Sequence, residues 1–298
     1  MFRPRKPIAS RAAAVAALLW LGIATAGAES TRFGLDAEYL HDTNVNRAAL
    51  DKEEQADDAV SLQGYAARSI LLTGNSGLVL RAALRGTEYF EFGDLSNLAA
   101  SARVAWRMQP SPGFTSPWLE LYGEAEAFRF RDSDLRDGYL WSAGASVGKY
   151  FTDRIRAEIG AGYDSRGGGA GGVYDVANAK AWLALDYRIA SAVTVYGSGT
   201  WMDGDQVFTL YNTAKWGSYY WGAKASAPDP VFASAFGGSP MAYRVGARTD
   251  RYELGLNVAL AGNHALDFGW SHFEARADSG GGRYDGDTFR AGYLYRFR

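Results

Sequence analysis

The sequence of 298 residues contains no cysteine. A disulfide and a lipid-modified N-terminal cysteine are therefore both excluded, so an exported protein of this composition must take its stability from its fold. Long apolar runs are also missing. Residues 12–24 are almost wholly apolar, but they fall short of the roughly 20 residues that a membrane-spanning helix needs. Any membrane protein encoded here must cross the bilayer without a helix.

The first 28 residues predict a secretory signal peptide. Residues 1–11 carry four basic side chains and no acidic one, residues 12–24 are apolar, and residues 26–28 are small enough for a cleavage site. The protein is therefore expected to be exported, with residues 29–298 forming the mature domain.

Positive charge is scarce in the mature part. Without the four basic residues of the leader, 27 of the 31 Lys and Arg remain against 33 Asp and Glu, a net charge of −6 with neutral histidine. This balance excludes a general affinity for nucleic acid.

Glycine and aromatic residues are abundant, with 36 Gly, 18 Tyr, 15 Phe and 9 Trp, although the mean hydropathy is −0.22. Apolar and polar side chains alternate along many segments; between 289 and 297 every second residue is aromatic or alanine. A transmembrane β-barrel produces this pattern because one face of each strand meets lipid and the other a polar lumen. The sequence predicts an all-β fold, a closed antiparallel transmembrane β-barrel in the bacterial outer membrane. A periplasmic all-β sandwich is the alternative.

Alternating segments bounded by turn residues predict about 12 strands, near residues 32–42, 59–73, 78–91, 98–108, 118–131, 138–151, 154–165, 176–189, 193–204, 243–261, 264–277 and 286–297. Counts of about ten or fourteen stay open. An even count returns both termini to the periplasm. Connections at 74–77, 109–117, 152–153, 190–192 and 262–263 are short or rich in proline, and are predicted to be periplasmic. Those at 43–58, 167–175 and 205–242 are predicted to lie outside the cell. The aromatic residues of 215–221 fit either an inward-folded segment or a surface loop.

Alternation also assigns the charged strand residues to the lumen, because an arginine facing lipid at mid-depth costs about 2–4 kcal/mol. The two arginines of the fourth strand are expected beside the glutamates of the fifth, and the two of the last strand beside the two acidic residues of the first. The mixed signs predict a hydrated passage with weak charge preference; alternatively, paired charges fill a narrow bore. The predicted lumen residues are Asp36, Glu38, Arg81, Arg85, Arg103, Arg107, Glu120, Glu124, Glu126, Arg154, Arg156, Glu158, Lys180, Asp186, Arg188, Arg251, Glu253, Asp267, Arg290 and Arg296.

Two patterns imitate catalytic sites. Residues 144–148 match GxSxG, but a nucleophile elbow needs a strand-to-helix turn at the serine, and Ser146 lies within a predicted strand. His272 and Glu274 share a strand face near the predicted outer rim, where a lipid hydrolase would place such a pair. Neighbouring strands offer no serine at matching height, so no catalytic residue is predicted.

One pattern imitates a calcium loop. Asp42, Asn44, Asn46 and Glu53 have the spacing of four ligand positions, but Arg47 stands where the sharp turn needs glycine, and flanking helices are missing. An extracellular loop rich in Asx turns is the preferred interpretation. No metal or cofactor is predicted.

The end of the first strand resembles the opening of the C-terminal barrel in the surface lipoprotein assembly modifier family. There a strand ends in a similar Asp-x-Asn-x-Asn stretch, here within Tyr39, Leu40, His41, Asp42, Thr43, Asn44, Val45, Asn46, Arg47 and Ala48. The helical repeats that precede the barrel in that family have no counterpart here. The resemblance implies a barrel that helps move a protein or polymer to the surface, with a separate periplasmic partner. The last strand is also similar to those that the barrel assembly machinery reads in outer-membrane barrels.

Together these observations predict a non-enzymatic outer-membrane barrel that acts in passage or export, with an unknown substrate. Outer-membrane lipids, lipopolysaccharide and the barrel assembly machinery are the expected partners. Two alternatives stay open: a lipid-modifying hydrolase at the barrel rim, and a surface adhesin or structural barrel.

Overall fold

The computed structural model describes residues 31–211, 222–238, 240–279 and 282–297. The predicted signal peptide lies outside the described residues. Within these ranges no helix is both long enough and apolar enough to cross a membrane. The same ranges contain thirteen strands: β1 (Arg32–Asp42), β2 (Asp57–Thr73), β3 (Ser76–Tyr89), β4 (Asn97–Met108), β5 (Trp118–Phe130), β6 (Gly138–Tyr150), β7 (Ile155–Gly167), β8 (Ala177–Ala190), β9 (Val193–Leu210), β10 (Ala223–Pro228), β11 (Met241–Ala259), β12 (His264–Ala277) and β13 (Arg283–Arg296).

Twelve of these strands close into an antiparallel barrel, which confirms the predicted fold class. Neighbours follow chain order from β1 to β9, and β9 then pairs with β11 over residues 193–210. β13 pairs with β1, with Gly34 opposite Arg296, and this pairing completes the ring. Closure leaves the barrel without a free sheet edge, so the backbone hydrogen bonds of the wall are satisfied within it.

The outer face of the barrel is an apolar belt. Leu84 and Val104 are 46% and 47% exposed, and Leu183 and Leu185 on β8 are 48% and 50% exposed. A surface this apolar suits hydrocarbon and not water. The belt and the closed wall place the protein in the bacterial outer membrane.

Large aromatic rings on the inner face lie over glycines of adjacent strands. A Cβ atom at Gly148 would sit 2.1 Å from the indole of Trp118, and one at Gly160 would sit 2.1 Å from the indole of Trp182. At these places the largest side chains lie over the smallest ones across neighbouring strands. This close approach gives a packing reason for the joint abundance of glycine and aromatic residues.

The two ends of the barrel differ. At the end where β1 begins and β13 ends, here the turn end, most connections are short, such as residues 74–75 and 191–192, and the longest is 109–117. At the opposite, loop end they include residues 43–56, 131–137 and 168–176, and β9 ends and β11 begins at this same end.

The predicted boundary of β9 at 204 is too early. The strand continues to Leu210, and the segment predicted as one external connection contains β10. β10 pairs with the first residues of β11, beyond the point where β12 ends at Ala277. Residues 215–221, whose aromatic side chains fit two placements, lie outside the described residues.

Candidate functional site

Charged residues on β3, β4 and β5 form one network on the inner wall. The register sets Arg103 opposite Glu124 and Arg107 opposite Glu120. The shortest N···O distances are 2.8 Å for Arg85–Glu126, 2.9 Å for Arg103–Glu120, 3.2 Å for Arg103–Glu124 and 2.6 Å for Arg107–Glu120. Each carboxylate meets an arginine of a nearby strand, so the network holds both signs within the lumen.

A second group of ion pairs lies on β7 and β8. Arg156 contacts Glu158 at 2.6 Å and Asp186 at 3.1 Å. Lys180 contacts Asp164 at 2.7 Å. Asp164 is absent from the predicted lumen residues, although it lies on the same face of β7 as Glu158. The alternation of side chains along the strand was the signal that could have identified it.

The expected contacts at the closure of the barrel form only in part. Arg296 contacts Asp36 at 2.8 Å. Arg290 instead turns away from β1 toward β11 and forms an ion pair with Glu253, and its Nε lies 3.5 Å from Asp267. The reason is Gly269, which stands opposite Arg290 on β12.

A Cβ atom at Gly269 would lie 2.5 Å from the Arg290 guanidinium, so only glycine lets this side chain cross the strand. The Arg290 guanidinium also donates to the hydroxyl of Tyr196 at 2.7 Å. The expected pairing of Arg290 with Glu38 or Asp36 is therefore wrong. Glu38 lies opposite Gly292 of β13.

Three predicted lumen residues are exposed, and two of them lie near the end of a strand or just outside it. Arg154 belongs to the exposed turn before β7, so its assignment to a lumen strand is wrong. Arg188 is exposed near the turn end of β8, where the register shifts before Ala190. Arg251 is exposed on β11 and shares the parity of Glu253.

The turn end opens into a vestibule of about 490 Å³. Trp118 lies between two arginines, with its ring centroid 5.6 Å from Arg107 and 5.2 Å from Arg156. Tyr150 and Phe114 stack beside it, with their ring centroids 4.7 Å apart. A solute that reaches this end meets aromatic faces and guanidinium groups together.

The loop end, in contrast, contains an apolar core inside the barrel. Inward residues of the extended strands, Phe208 and Leu210 on β9 and Tyr243 and Val245 on β11, are almost fully buried. Tyr284 of β13 packs edge-on against Phe208, with ring centroids 4.5 Å apart. The inner face thus changes from charged to apolar along the barrel.

The connection 43–56, which lies within the segment 43–58 predicted to be external, folds against this core. Ala48 forms a parallel bridge with Thr209 of β9. Buried Asn44 accepts a hydrogen bond from the backbone N–H of Ala48 at 2.8 Å, and buried Asn46 accepts one from Gln55 at 3.0 Å. The asparagines therefore satisfy the loop backbone.

The segment whose sequence imitates a calcium loop, residues 42–53, is held in place by its own side chains. Arg47 adopts φ 55°, the left-handed conformation that such a loop gives to glycine. Its guanidinium contacts Asp42 at 2.9 Å and thus occupies the carboxylate that would be the first ligand. In the described part of the chain no three His, Asp or Glu side chains gather closely enough to hold a metal ion.

A segment between β10 and β11, residues 229–237, lies across the mouth; we name it the plug segment. Its Phe232 is fully buried and packs edge-on against Phe92 of the β3–β4 connection, with centroids 5.0 Å apart. Val45 of the β1–β2 connection packs against the same cluster. Because these loops rise from different parts of the ring, the plug segment spans the opening.

One buried ion pair fastens the plug segment. Arg136 of the β5–β6 connection donates to both carboxylate oxygens of Asp229, at 2.8 and 2.6 Å, and the Asp229 side chain is 0% exposed. The hydroxyl of Tyr174 lies 3.5 Å from Asp229.

Burial changes the pKa values of Arg136 and Tyr174 at this ion pair. Burial alone lowers the pKa of Arg136, but Tyr174 and Asp229 outweigh it and raise that pKa above its ordinary value. Burial is also the largest effect on Tyr174 and raises its pKa to about 12. The Arg136 guanidinium therefore stays charged across the physiological range.

The rim pair predicted from sequence has other partners. His272 lies 3.1 Å from Asp287 of β13, and Glu274 contacts Arg276 at 2.7 Å. The residues opposite His272 are Tyr252 and Asp287, and neither is a nucleophile of the serine class. Ser146 of the GxSxG pattern is buried in the middle of β6.

The lumen, its ion pairs and its covered mouth define a transmembrane β-barrel of the outer-membrane type. No family model and no curated protein matches the sequence. The chain is similar to the COG4313 outer membrane channel from Pseudomonas putida F1, with a TM-score of 0.57 and 10% identity over 91% of this chain and 97% of that chain.

Looser similarity extends to the NanC porin, with a TM-score of 0.47 and 8% identity over 88% of this chain and 98% of that chain. It extends equally to the outer membrane phospholipase of Salmonella typhi, with a TM-score of 0.45 and 11% identity over 89% of this chain and 90% of that chain. At 10% identity, the likeness to the COG4313 channel shows the fold alone.

Proposed function

We propose that the protein is a channel for small polar solutes across the outer membrane, with its loop end outside the cell and closed at rest by the plug segment. The observation that carries the proposal is the inner face itself. Below the mouth it presents charged and aromatic side chains around cavities of about 290 and 490 Å³. A barrel with only a structural role would not need such space in its lumen.

The test is planar-bilayer recording on the wild-type barrel and on a variant whose plug segment is replaced by Gly-Ser residues of equal length. We expect little or no current from the wild type and ohmic current from the variant. As a control, the same number of residues of the turn-end connection 109–117 is replaced, which leaves the mouth closed. The absence of current from every variant that folds would contradict a channel.

An export role, implied by the resemblance of residues 39–48 to assembly modifiers, is a second candidate. Export requires more rearrangement than passage of a small solute, because Asn44 and Asn46 are buried inside the mouth. A polymer could pass only after the connection 43–56 and the plug segment had both left the mouth. The plug-segment variant separates the two roles: small-solute current without surface delivery of a cargo favours the channel.

We also propose its partners. Outer-membrane lipids and lipopolysaccharide would surround the apolar belt, the barrel assembly machinery would recognise β13, and a periplasmic protein would meet the turn end only in the export role. The proposed channel is not an enzyme.

A further inference from the structure

Two arginines face each other on the inner wall. Arg81 of β3 stands directly opposite Arg103 of β4. Like charges in this position destabilise a sheet unless something neutralises them. Arg103 is neutralised by Glu120 and Glu124. Among the described residues, no carboxylate oxygen lies within the 4.0 Å ion-pair distance of Arg81.

An aromatic ring takes the place of that carboxylate. The Arg81 guanidinium lies over Tyr65, 4.3 Å from the ring centroid, and Arg296 lies 5.0 Å from the same centroid. Gly34 makes room for Tyr65, because a Cβ atom there would meet the ring at 2.3 Å. Stacking uses the face of a guanidinium and leaves the N–H groups of its edge available to an acceptor.

Arg81 borders a cavity of about 290 Å³ on the inner wall, here the arginine cavity. Three arginines and two glutamates give its lining one excess positive charge, and amide and hydroxyl groups complete the lining. The polar residues of the lining are Gln63, Arg81, Arg85, Ser101, Arg103, Glu124 and Glu126. The volume lies at the lower limit of sites that bind small molecules.

We propose that the arginine cavity binds a small monovalent organic carboxylate, with Arg81 as the bidentate partner of the carboxylate group. This inference rests on the proposed channel function and names its solute class. The single excess charge matches one carboxylate, and Glu124 and Glu126 oppose a multivalent anion such as phosphate. Gln63 and Ser101 offer hydrogen bonds to hydroxyl groups of the same solute.

Equilibrium binding tests the proposal independently of conduction. Sodium gluconate, glucose and inorganic phosphate are titrated by calorimetry into the detergent-solubilised full-length protein. We expect gluconate to bind, glucose to give no measurable binding, and phosphate to bind more weakly than gluconate. Arg81→Gln should weaken gluconate binding by about tenfold or more, and Arg81→Lys should recover part of it.

Lys180→Gln is the matched control, because it removes one lumen charge whose partner, Asp164, lies outside the arginine cavity. Gel mobility before and after heating shows that each variant folds. Equal losses in Arg81→Gln and Lys180→Gln would mean that a general lumen field attracts anions, and would overturn the proposal, as would equal binding of gluconate and glucose. Gluconate binding without current from the plug-segment variant refutes the channel and leaves the cavity proposal standing; current from that variant without gluconate binding refutes the cavity proposal and leaves the channel standing.

Discussion

Replacement of Asp229 by alanine should release the plug segment. The substitution leaves the Arg136 guanidinium buried without its carboxylate, and breaking a buried pair in this way costs about 3–5 kcal/mol. The Phe232 contacts that still favour docking are worth about 1.5–3 kcal/mol. The loss is larger than the contribution of Phe232, and it shifts the docking equilibrium by roughly 10²- to 10⁴-fold.

Single-channel recording and limited proteolysis measure this shift together. Asp229→Ala should raise the conductance and expose the plug segment to cleavage, while the heat-modifiable mobility of the barrel stays unchanged, because no strand pairing involves Asp229. The control removes both charges at once: Arg136→Met with Asp229→Leu should restore a closed mouth, since neither group is then left unpaired. If the Asp229→Ala protein stays closed and protease-resistant, the reasoning is refuted.

Three further predictions concern other parts of the molecule. Because the buried hydroxyl of Tyr174 has its pKa raised to about 12, its contribution to docking is complete below about pH 10 and is lost as the pH rises toward 12; conductance should increase over that range in the wild type and less in Tyr174→Phe. Gly148→Leu should displace Trp118 and destabilise the barrel by about 1–3 kcal/mol, seen as a lower unfolding temperature on heated gels; an unchanged temperature would contradict the close approach. His272→Ala should leave the acyl chains of phospholipid and lipid A unchanged by mass spectrometry, and an altered chain pattern would revive the rim hydrolase.

Most of the wall could be predicted from sequence because its two faces meet different solvents. The predicted bounds of the first strand, 32–42, agree with β1, and those predicted at 264–277 agree with β12. A slip of one residue would turn every lipid-facing side chain inward, so alternation constrains these strands strongly. The same alternation did not predict the last six residues of β9. Val207, Phe208 and Leu210 form an almost continuous apolar run there, so the polarity of the inner face no longer differs from that of the outer face.

Contacts beyond adjacent strands were less predictable. Ion pairs such as Arg103–Glu124 follow from strand order and register. Arg290 reaches β11 only because Gly269 clears the strand between them, a steric detail that no charge pattern contains. Arg136 and Asp229 are 93 residues apart in loops without periodicity, so nothing in the sequence marked them as partners.

The contrast between wall and mouth bears on how a solute could pass. β9 pairs with β11 without interruption from Val193 to Leu210, so opening the wall would break many backbone hydrogen bonds in a medium that cannot replace them. The plug segment crosses the mouth with one ion pair and a small aromatic cluster. Rearrangement of the loops therefore requires far less free energy than separation of the strands. Passage through this barrel should depend on the mouth, and substitutions there should change conductance more than equally large changes along the wall.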